Sequence, residues 1–368
     1  MNKYLISFLL TMVTLLSCTD RKGTGTLTEG DTLRLEYAKL LTIVEKEGHT
    51  DVEILDPWNT GKTLRRYCLC QKGSKTHCEE EETSVVHVPL QNAAAFTSVH
   101  CALIQELGAE DAIAGVCDSK YIHLPFVDKG LQDGSIIDLG NGLSPNIEAI
   151  IALQPDALMI SPFENNEGYG RMESLGIPII ECADYMEVGP LARAEWIRLY
   201  GRLFGTSEKA DSIFAKVKSD YNSIRDKVSG CKERPSMICE LPVSGQWYMP
   251  KGESTMGMLY TDAGANYLFA DKHGPGNVAL SIEHVLERAN NADIWLIKHH
   301  GAITHDDIVN DFPLLAHIKS AIWVCNTEDT GFYEETPFHP EYLLSNLAEI
   351  FHPTLGVKAK KNYYQRLR

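Results

Sequence analysis

The chain has 368 residues, of which 44% are hydrophobic and 23% are charged. This composition is typical of globular proteins, and the length allows two hydrophobic cores. The formal net charge of −16 argues against a nucleic-acid partner, because phosphate backbones are bound by clustered Lys and Arg. The one basic cluster, residues 358–368, is interpreted as a solvated end, and residues 354–368 as a basic tail.

Residues 1–18 predict export. Lys3 provides positive charge, and residues 4–16 form an apolar stretch too short to span a bilayer, which is typical of a secretory signal. Residues 15–18, Leu-Leu-Ser-Cys, resemble the bacterial lipobox, in which the Cys is diacylated and becomes the first residue of the mature protein. We therefore expect a periplasmic protein held to an envelope membrane by a lipid on Cys18. An unmodified Cys near the signal is the alternative.

Residues 19–83 are interpreted as a tether followed by a β extension. Alternating apolar residues predict strands at 40–44, 52–55 and 63–69, with a turn at residues 57–59. If Cys18 carries lipid, nine cysteines remain and at least one stays unpaired. Residues Cys68, Cys70, His77 and Cys78 could form a metal knuckle, but their spacing is not a standard zinc spacing, so structural or disulfide cysteines are preferred.

The remainder alternates strands with helices, which predicts α/β lobes with parallel-type sheets. The first lobe is placed at 84–188, with its first strand at 84–90, and the second at 230–353. Between them, the region 189–229 reads as helical. Apolar residues at helical spacing from residue 206 to about residue 228 predict one long helix that joins the lobes.

The chain contains a sequence repeat, with one copy at residues 146–160 and the other at residues 281–297. Each copy begins with a good N-cap residue, has a Glu in the first helical turn and ends in an apolar run that suits a buried strand. These acids are Glu148 and Glu283. They could compensate the helix dipole, or they could form a docking surface for a two-fold symmetric partner.

Residues 98–116, 146–156, 175–180, 262–268, 281–283 and 351–353 resemble, in order and spacing, the class III substrate-binding proteins of ABC importers, which carry ferric siderophores, haem or cobalamin. The resemblance implies two Rossmann-like lobes, a single backbone helix between them and a ligand cleft. It also implies that Glu148 and Glu283 form salt bridges with the ABC permease dimer at the inner membrane. The ligand would be a small metal chelate or corrinoid, with no catalytic residue, resident cofactor or resident metal.

Ligands of open parallel sheets bind beyond the carboxyl ends of the strands, so the loops after the predicted strands are the site candidates. Aromatic side chains there suit a large conjugated ligand, and Lys298 could pair with a ligand carboxylate. The adjacent His299 and His300 could coordinate a metal. The predicted ligand-binding residues are Asp118, Tyr121, Phe163 and Tyr169 in the first lobe, and Trp247, Tyr248, Lys298, His299, His300 and Tyr333 in the second.

Two alternatives stay open. A metal-dependent hydrolase could use His299, His300 and His305, although no H-E-x-x-H or G-x-S-x-G motif occurs. A protein that binds free zinc or manganese would need ligands from both lobes, and the first lobe offers His123.

Overall fold

The computed structural model describes residues 31–73, 83–164 and 168–367. The expectations for the signal peptide and Cys18, and for His77 and Cys78, lie outside these ranges. The three larger sheets within them belong to an N-terminal extension and to two α/β lobes.

The extension is a five-stranded sheet whose strands follow in chain order. They are β1 (Asp31–Leu33), β2 (Leu41–Lys46), β3 (His49–Leu55), β4 (Thr63–Gln71) and β5 (Thr83–Val88). The predicted strands at 40–44, 52–55 and 63–69 are present. The strand predicted at 84–90 does not open the first lobe. As β5 it pairs parallel with β4, and its alternating burial is that of a strand with one solvated side.

Two buried glutamates fix the extension to the rest of the protein. The carboxylate of Glu195 accepts hydrogen bonds from the backbone N–H groups of residues 36–38, at 2.8–2.9 Å. Glu187 accepts from the N–H groups of residues 39 and 40 and from the indole of Trp196. Burial raises the pKa of Glu187 more than these donors lower it. Because a buried carboxylate without partners is costly, the extension is an integral part of the fold.

The first lobe contains a parallel sheet with the strand order β12-β11-β6-β7-β8. Its elements are β6 (Ala93–Ala95), α1 (Ser98–Glu106), β7 (Ile113–Val116), α2 (Pro125–Asp133), β8 (Ile137–Asp138), β9 (Gly140–Asn141), β10 (Ser144–Pro145), α3 (Ile147–Leu153), β11 (Ala157–Ile160) and β12 (Ile179–Glu181). Thr97 caps α1, and Gly108 follows the helix with a φ of 72°, which suits glycine.

Three helices connect the lobes: α4 (Pro190–Glu195), α5 (Ile197–Leu203) and α6 (Ser207–Ser229). The long helix predicted over residues 206–228 is confirmed as α6, with Thr206 as its N-cap residue. At about 1.5 Å per residue it extends roughly 35 Å. Its buried stripe contains Ala210, Phe214, Val217, Tyr221, Ile224 and Val228.

The second lobe repeats the architecture, with the sheet order β15-β13-β17-β18-β19 and a separate ribbon of β14 and β16. Its elements are β13 (Ser236–Cys239), β14 (Gln246–Pro250), α7 (Thr255–Asp262), β15 (Asn266–Tyr267), β16 (Asn277–Ser281), α8 (Ile282–Ala289), β17 (Ile294–His299), α9 (His305–Asp311), β18 (Ala321–Asn326), α10 (Phe332–Glu335), α11 (Pro340–Phe351) and β19 (Gln365–Arg366). The helix and strand predicted for each copy of the sequence repeat are confirmed: α3 and β11 form the first copy, and α8 and β17 form the second.

The basic tail is not a solvated end. Its strand β19 pairs antiparallel with β18 and so covers the edge of the second sheet. Tyr363 and Tyr364 are each only 2% exposed, and the Tyr364 N–H donates to the Asn346 side chain. The interpretation based on charge was wrong because the two tyrosines, rather than the surrounding lysines and arginines, determine where this segment lies.

Candidate functional site

The second lobe forms a cavity of about 670 Å³ beyond the carboxyl ends of β13 and β17. Four predicted site residues line it: Tyr248, Lys298, His299 and His300. Apolar residues complete the wall, among them Leu241, Pro242, Met256, Ile303 and Phe312. The volume is within the range of small-molecule and cofactor sites, about 300–1,000 Å³.

Lys298 is paired and not free to neutralise a ligand carboxylate by itself. Its ammonium contacts the carboxylate of Glu240, and both side chains are mostly buried. Burial alone lowers the pKa of Lys298, but the Glu240 carboxylate outweighs that effect and the pKa is raised. Glu240 has a φ of 63°, an uncommon backbone conformation for a residue other than glycine. The floor of the cavity therefore contains a charged pair held by a strained loop.

His299 presents a nitrogen that suits metal coordination. Its Nδ1 lies 3.0 Å from the carbonyl oxygen of Gly301. Because a carbonyl can only accept, Nδ1 carries the proton, and in the neutral ring Nε2 keeps its lone pair. A backbone acceptor that orients a histidine in this way is a usual feature of metal-binding sites. His300 is exposed and also lines the cavity.

Tyr333 lies on α10, after strand β18, and is 51% exposed. It packs at right angles to Phe332, with the ring centroids 5.3 Å apart. The ammonium of Lys298 lies 5.7 Å from the centroid of the Phe332 ring. This arrangement connects Tyr333 to the floor of the cavity through Phe332.

Trp247 is not exposed to the cleft. Its side chain is fully buried, its indole N–H donates to the Cys239 carbonyl at 2.9 Å, and its ring packs on Trp295. The neighbouring Tyr248 is 45% exposed. Successive residues of a strand point to opposite sides, so only one of the two can reach the cleft. The expectation that Trp247 contacts ligand is therefore corrected, and Tyr248 takes that position.

The predicted residues of the first lobe lie in two places. Asp118 and Tyr121 follow β7, where Asp118 accepts hydrogen bonds from the Gly142 N–H and the Asn141 side chain. Tyr121 is 63% exposed. Phe163 and Tyr169 belong to the loop after β11, and both line a cavity of about 340 Å³ next to the extension. The Asp118 carboxylate thus has two donors within its own lobe, and its ligand-binding role stays a prediction.

The lobes meet directly at His339, which precedes α11. Its Nε2 lies 2.7 Å from the carboxylate of Glu106 on α1, and its Nδ1 lies 3.0 Å from Glu341. Burial alone would lower the pKa of His339. The two carboxylates raise it by more than burial lowers it, so the pKa is raised to about 9. A cavity of about 470 Å³ lies beside this contact, and His123 lines it. His299 and His300 line the other cavity, so His123 does not join them at one site.

Comparison with known proteins now decides the family. The model of the family described as "Periplasmic binding protein" matches residues 94–322, more than half of the chain. The chain belongs to this family. The resemblance to class III substrate-binding proteins of ABC importers is confirmed, and so is the α/β fold with two lobes and a linking helix.

One relative in sequence and two solved structures illustrate the similarity. An uncharacterized lipoprotein of Methanocaldococcus jannaschii is 23% identical over 90% of this chain and 84% of its own length. A periplasmic haem-binding protein of Pseudomonas aeruginosa has a TM-score of 0.57, with 16% identity, and covers 76% of this chain and 98% of its own. An ABC-type Fe³⁺-hydroxamate transport system protein of Saccharomonospora viridis has a TM-score of 0.51, with 20% identity, and covers 73% of this chain and 94% of its own.

The family assignment and the lipoprotein relative support a location outside the cytoplasm. Across residues 31–73, 83–164 and 168–367, no helix combines the length and apolar character needed to cross a bilayer.

In this periplasmic binding protein the two candidate docking residues occupy matching positions. Glu148 lies in the first turn of α3, whose N-cap is Asn146, and Glu283 lies in the first turn of α8, whose N-cap is Ser281. Both glutamates are exposed. In each lobe a short antiparallel ribbon, β9 with β10 or β14 with β16, leads into the helix.

The cysteines of the extension are better explained by a disulfide than by a metal site. His49, Asp51 and Cys68 lie within metal-ligand distance of one another, and Cys68 is disulfide-bonded. A disulfide sulfur has no thiolate to offer a metal. Cys70 is buried, its Sγ lies 3.5 Å from Cys68 Sγ, and burial raises the pKa of its thiol. His305 begins α9 and is exposed.

Several residues at these cavities were not predicted from the sequence, among them Glu240, Trp58 and Arg65. Glu240 follows β13 directly, and this position beyond a buried strand was the signal that could have identified it. Trp58 and Arg65 belong to the extension, and no local pattern connects them to the cleft.

Proposed function

We propose that this protein captures a small metal complex in the cleft between its lobes and delivers it to an ABC permease. The observation that carries the proposal is the 670 Å³ cavity of the second lobe, where an oriented imidazole, an aromatic side chain and a buried ion pair meet. The cavity lies where open parallel sheets bind ligands.

Two features favour a metal complex over an organic solute. Nε2 of His299, on a ring oriented by its backbone partner, can coordinate a metal with an open position or contact the ligand atoms of a chelate whose metal is saturated. The exposed rings of Tyr248 and Tyr333 offer flat contact area at low entropic cost, which suits a macrocycle or chelate. The ligand classes are a ferric chelate, haem and a cobalamin-type corrinoid. The two structural relatives, a haem-binding protein and an Fe³⁺-hydroxamate transport protein, agree with the first two classes.

An absorption titration tests the proposal. Purified protein is titrated with haem, cobalamin, a neutral ferric trihydroxamate and an anionic ferric catecholate. We expect saturable binding of one of these at one ligand per protein. If that ligand is haem or a corrinoid, we also expect a spectral shift that His299→Ala abolishes and His305→Ala preserves. Failure of all four to bind would remove the proposed function.

We further propose that Glu148 and Glu283 are the docking contacts of the permease, and that a lipid on Cys18 holds the protein at the membrane. Metabolic labelling with a radioactive fatty acid tests the anchor. Label on the wild-type protein that Cys18→Ala loses would support it, and equal labelling of both proteins would contradict it.

Neither alternative function has an observation in its favour. Among residues 31–73, 83–164 and 168–367, the group of three side chains with metal-ligand spacing lies in the extension and not in the cleft. A hydrolase or a free-metal binder would require such a group beside His299 and His300.

A further inference from the structure

The cavity of about 340 Å³ lies between the extension and the first lobe. Residues 162–164, 168 and 169, which follow β11, and Glu181 at the end of β12 line one side, so the cavity lies beside the carboxyl ends of both strands. This is the edge at which an open parallel sheet binds ligands. The extension side contributes Asp56, Trp58, Asn59, Leu64 and Arg65, and the lobe contributes Phe163, Tyr169, Glu173 and Glu181, among others.

Glu181 holds the two walls together. Its carboxylate accepts from Arg65 Nη2 at 3.1 Å and from the Tyr169 hydroxyl at 2.5 Å. Its backbone N–H donates to the Tyr67 hydroxyl, which in turn donates to the Ile179 carbonyl. Glu181 is only 2% exposed, so separating the walls would deprive a buried carboxylate of its guanidinium partner. The cavity is therefore a built feature of the fold.

The chemistry of the lining selects one kind of group. Trp58 and Phe163 provide aromatic surface, and Phe163 is 47% exposed. Among the lining residues that the structure describes, carboxylates outnumber the one guanidinium and disfavour an anion; they are those of Asp56, Glu164, Glu173 and Glu181. Arg65 keeps donor capacity, because a guanidinium has five N–H groups and this side chain, paired with Glu181 through Nη2, is still 34% exposed. An uncharged planar group with a carbonyl oxygen can pack on the rings and accept from Arg65.

We propose that this cavity is a subsite of the ligand cleft that holds an uncharged, amide-bearing arm of the transported chelate. The inference rests on the proposed function and extends it. Trp58 and Arg65 lie outside residues 94–322, the range that matches the family model, so the extension supplies specificity-determining residues of its own. The cargo is then a neutral chelate with peripheral amides rather than a polyanionic one.

Fluorescence and absorption titrations of the full chain test this subsite. The probes are a neutral ferric trihydroxamate that carries amide groups, a trianionic ferric catecholate and haem. The variants are Trp58→Ala and Arg65→Gln. Arg66→Gln is the matched control. Arg66 is the next residue of the same strand, so its side chain lies on the opposite side of the sheet, where it pairs with Glu53 at 2.8 Å.

We expect the wild type to bind the trihydroxamate most tightly. Trp58→Ala and Arg65→Gln should each weaken that binding at least tenfold, and Arg66→Gln should leave it within twofold. Thermal melts check that each variant is folded. If Arg65→Gln destabilises the protein because Glu181 loses its partner, Trp58→Ala still tests the subsite, because it leaves the Arg65–Glu181 pair in place.

Three results would overturn the subsite. One is unchanged affinity in a folded Trp58→Ala protein. Another is tighter binding of the catecholate or haem than of the trihydroxamate, which would leave the proposed function standing. The third is a wild type that binds none of these probes or cobalamin, which would overturn the proposed function as well.

Discussion

In both lobes a capped helix with an exposed glutamate leads into a buried parallel strand, α3 into β11 and α8 into β17. Beyond the strands the lobes differ. The second lobe closes a cavity with its own loops, whereas the first lobe shares its cavity with the extension. The second lobe contributes an imidazole and a buried ion pair there, and the first contributes aromatic rings and carboxylates.

This difference distinguishes the helices and strands that form the scaffold of each lobe from the loops that carry the candidate site residues. The sequence repeat sets the helix caps and the matching positions of Glu148 and Glu283, the proposed docking contacts. The loops after the strands are free to diverge, because packing does not constrain them as it does the strands.

Trp247→Ala should reduce stability, not binding alone. The side chain is fully buried beside Trp295, and removal of a buried Trp costs about 3–5 kcal/mol. Urea denaturation measures the free energy of unfolding. Tyr248→Ala is the control: it should change that free energy little and weaken ligand binding about tenfold, as loss of one contact residue typically does. Equal effects of the two substitutions on stability would contradict the assignment of Trp247 to the packed scaffold and of Tyr248 to the ligand site.

Lys298→Met should destabilise the second lobe by about 3 kcal/mol, because it leaves the Glu240 carboxylate mostly buried without its partner. The free energy of unfolding is measured by urea denaturation at pH 7. Lys298→Met combined with Glu240→Leu should recover most of the loss. A double variant no more stable than the single one would show that the pair is not energetically coupled.

His339→Gln should remove a pH-dependent contribution where the lobes meet. The pKa of His339 is raised from an unfolded value near 6.5 to about 9. Its stabilisation is therefore fully present below pH 6.5 and lost as pH rises through 9. We expect the wild type to exceed His339→Gln by about 1–3 kcal/mol in the free energy of unfolding at pH 6, and by much less at pH 10. A constant difference across this range would contradict the assignment.

Glu148→Ala and Glu283→Ala should each reduce uptake by the importer several-fold, and by similar amounts, while ligand affinity stays unchanged. Loss of one charged contact in an interface costs about 1–2 kcal/mol when the contact is partly exposed. Uptake of labelled ligand by cells measures the effect, and Glu287→Ala, on the same helix as Glu283, is the control. Normal transport by the double variant would remove the docking assignment.

Much of the scaffold could be predicted from the sequence, because it depends on local signals. The helical stripe from Ala210 to Val228 and the N-caps Asn146 and Ser281 are examples. Strand β6 could not be predicted, because Ala93–Ala95 has low β propensity and becomes a strand through burial between β7 and β11. The burial of Trp247 depends on the pairing of β14 with β16, and the contact of Arg65 with Glu181 joins residues 116 positions apart. Neither leaves a local pattern.

A metal complex is proposed to bind at the carboxyl ends of the strands, between the lobes. The most direct test is a crystal structure with the ligand that binds most tightly in the titration. We predict ligand density that contacts Tyr248 and His299 in the second lobe and Phe163 in the first. Density at a different surface, or bound ligand that leaves both His299 and Tyr248 exposed to solvent, would contradict the account.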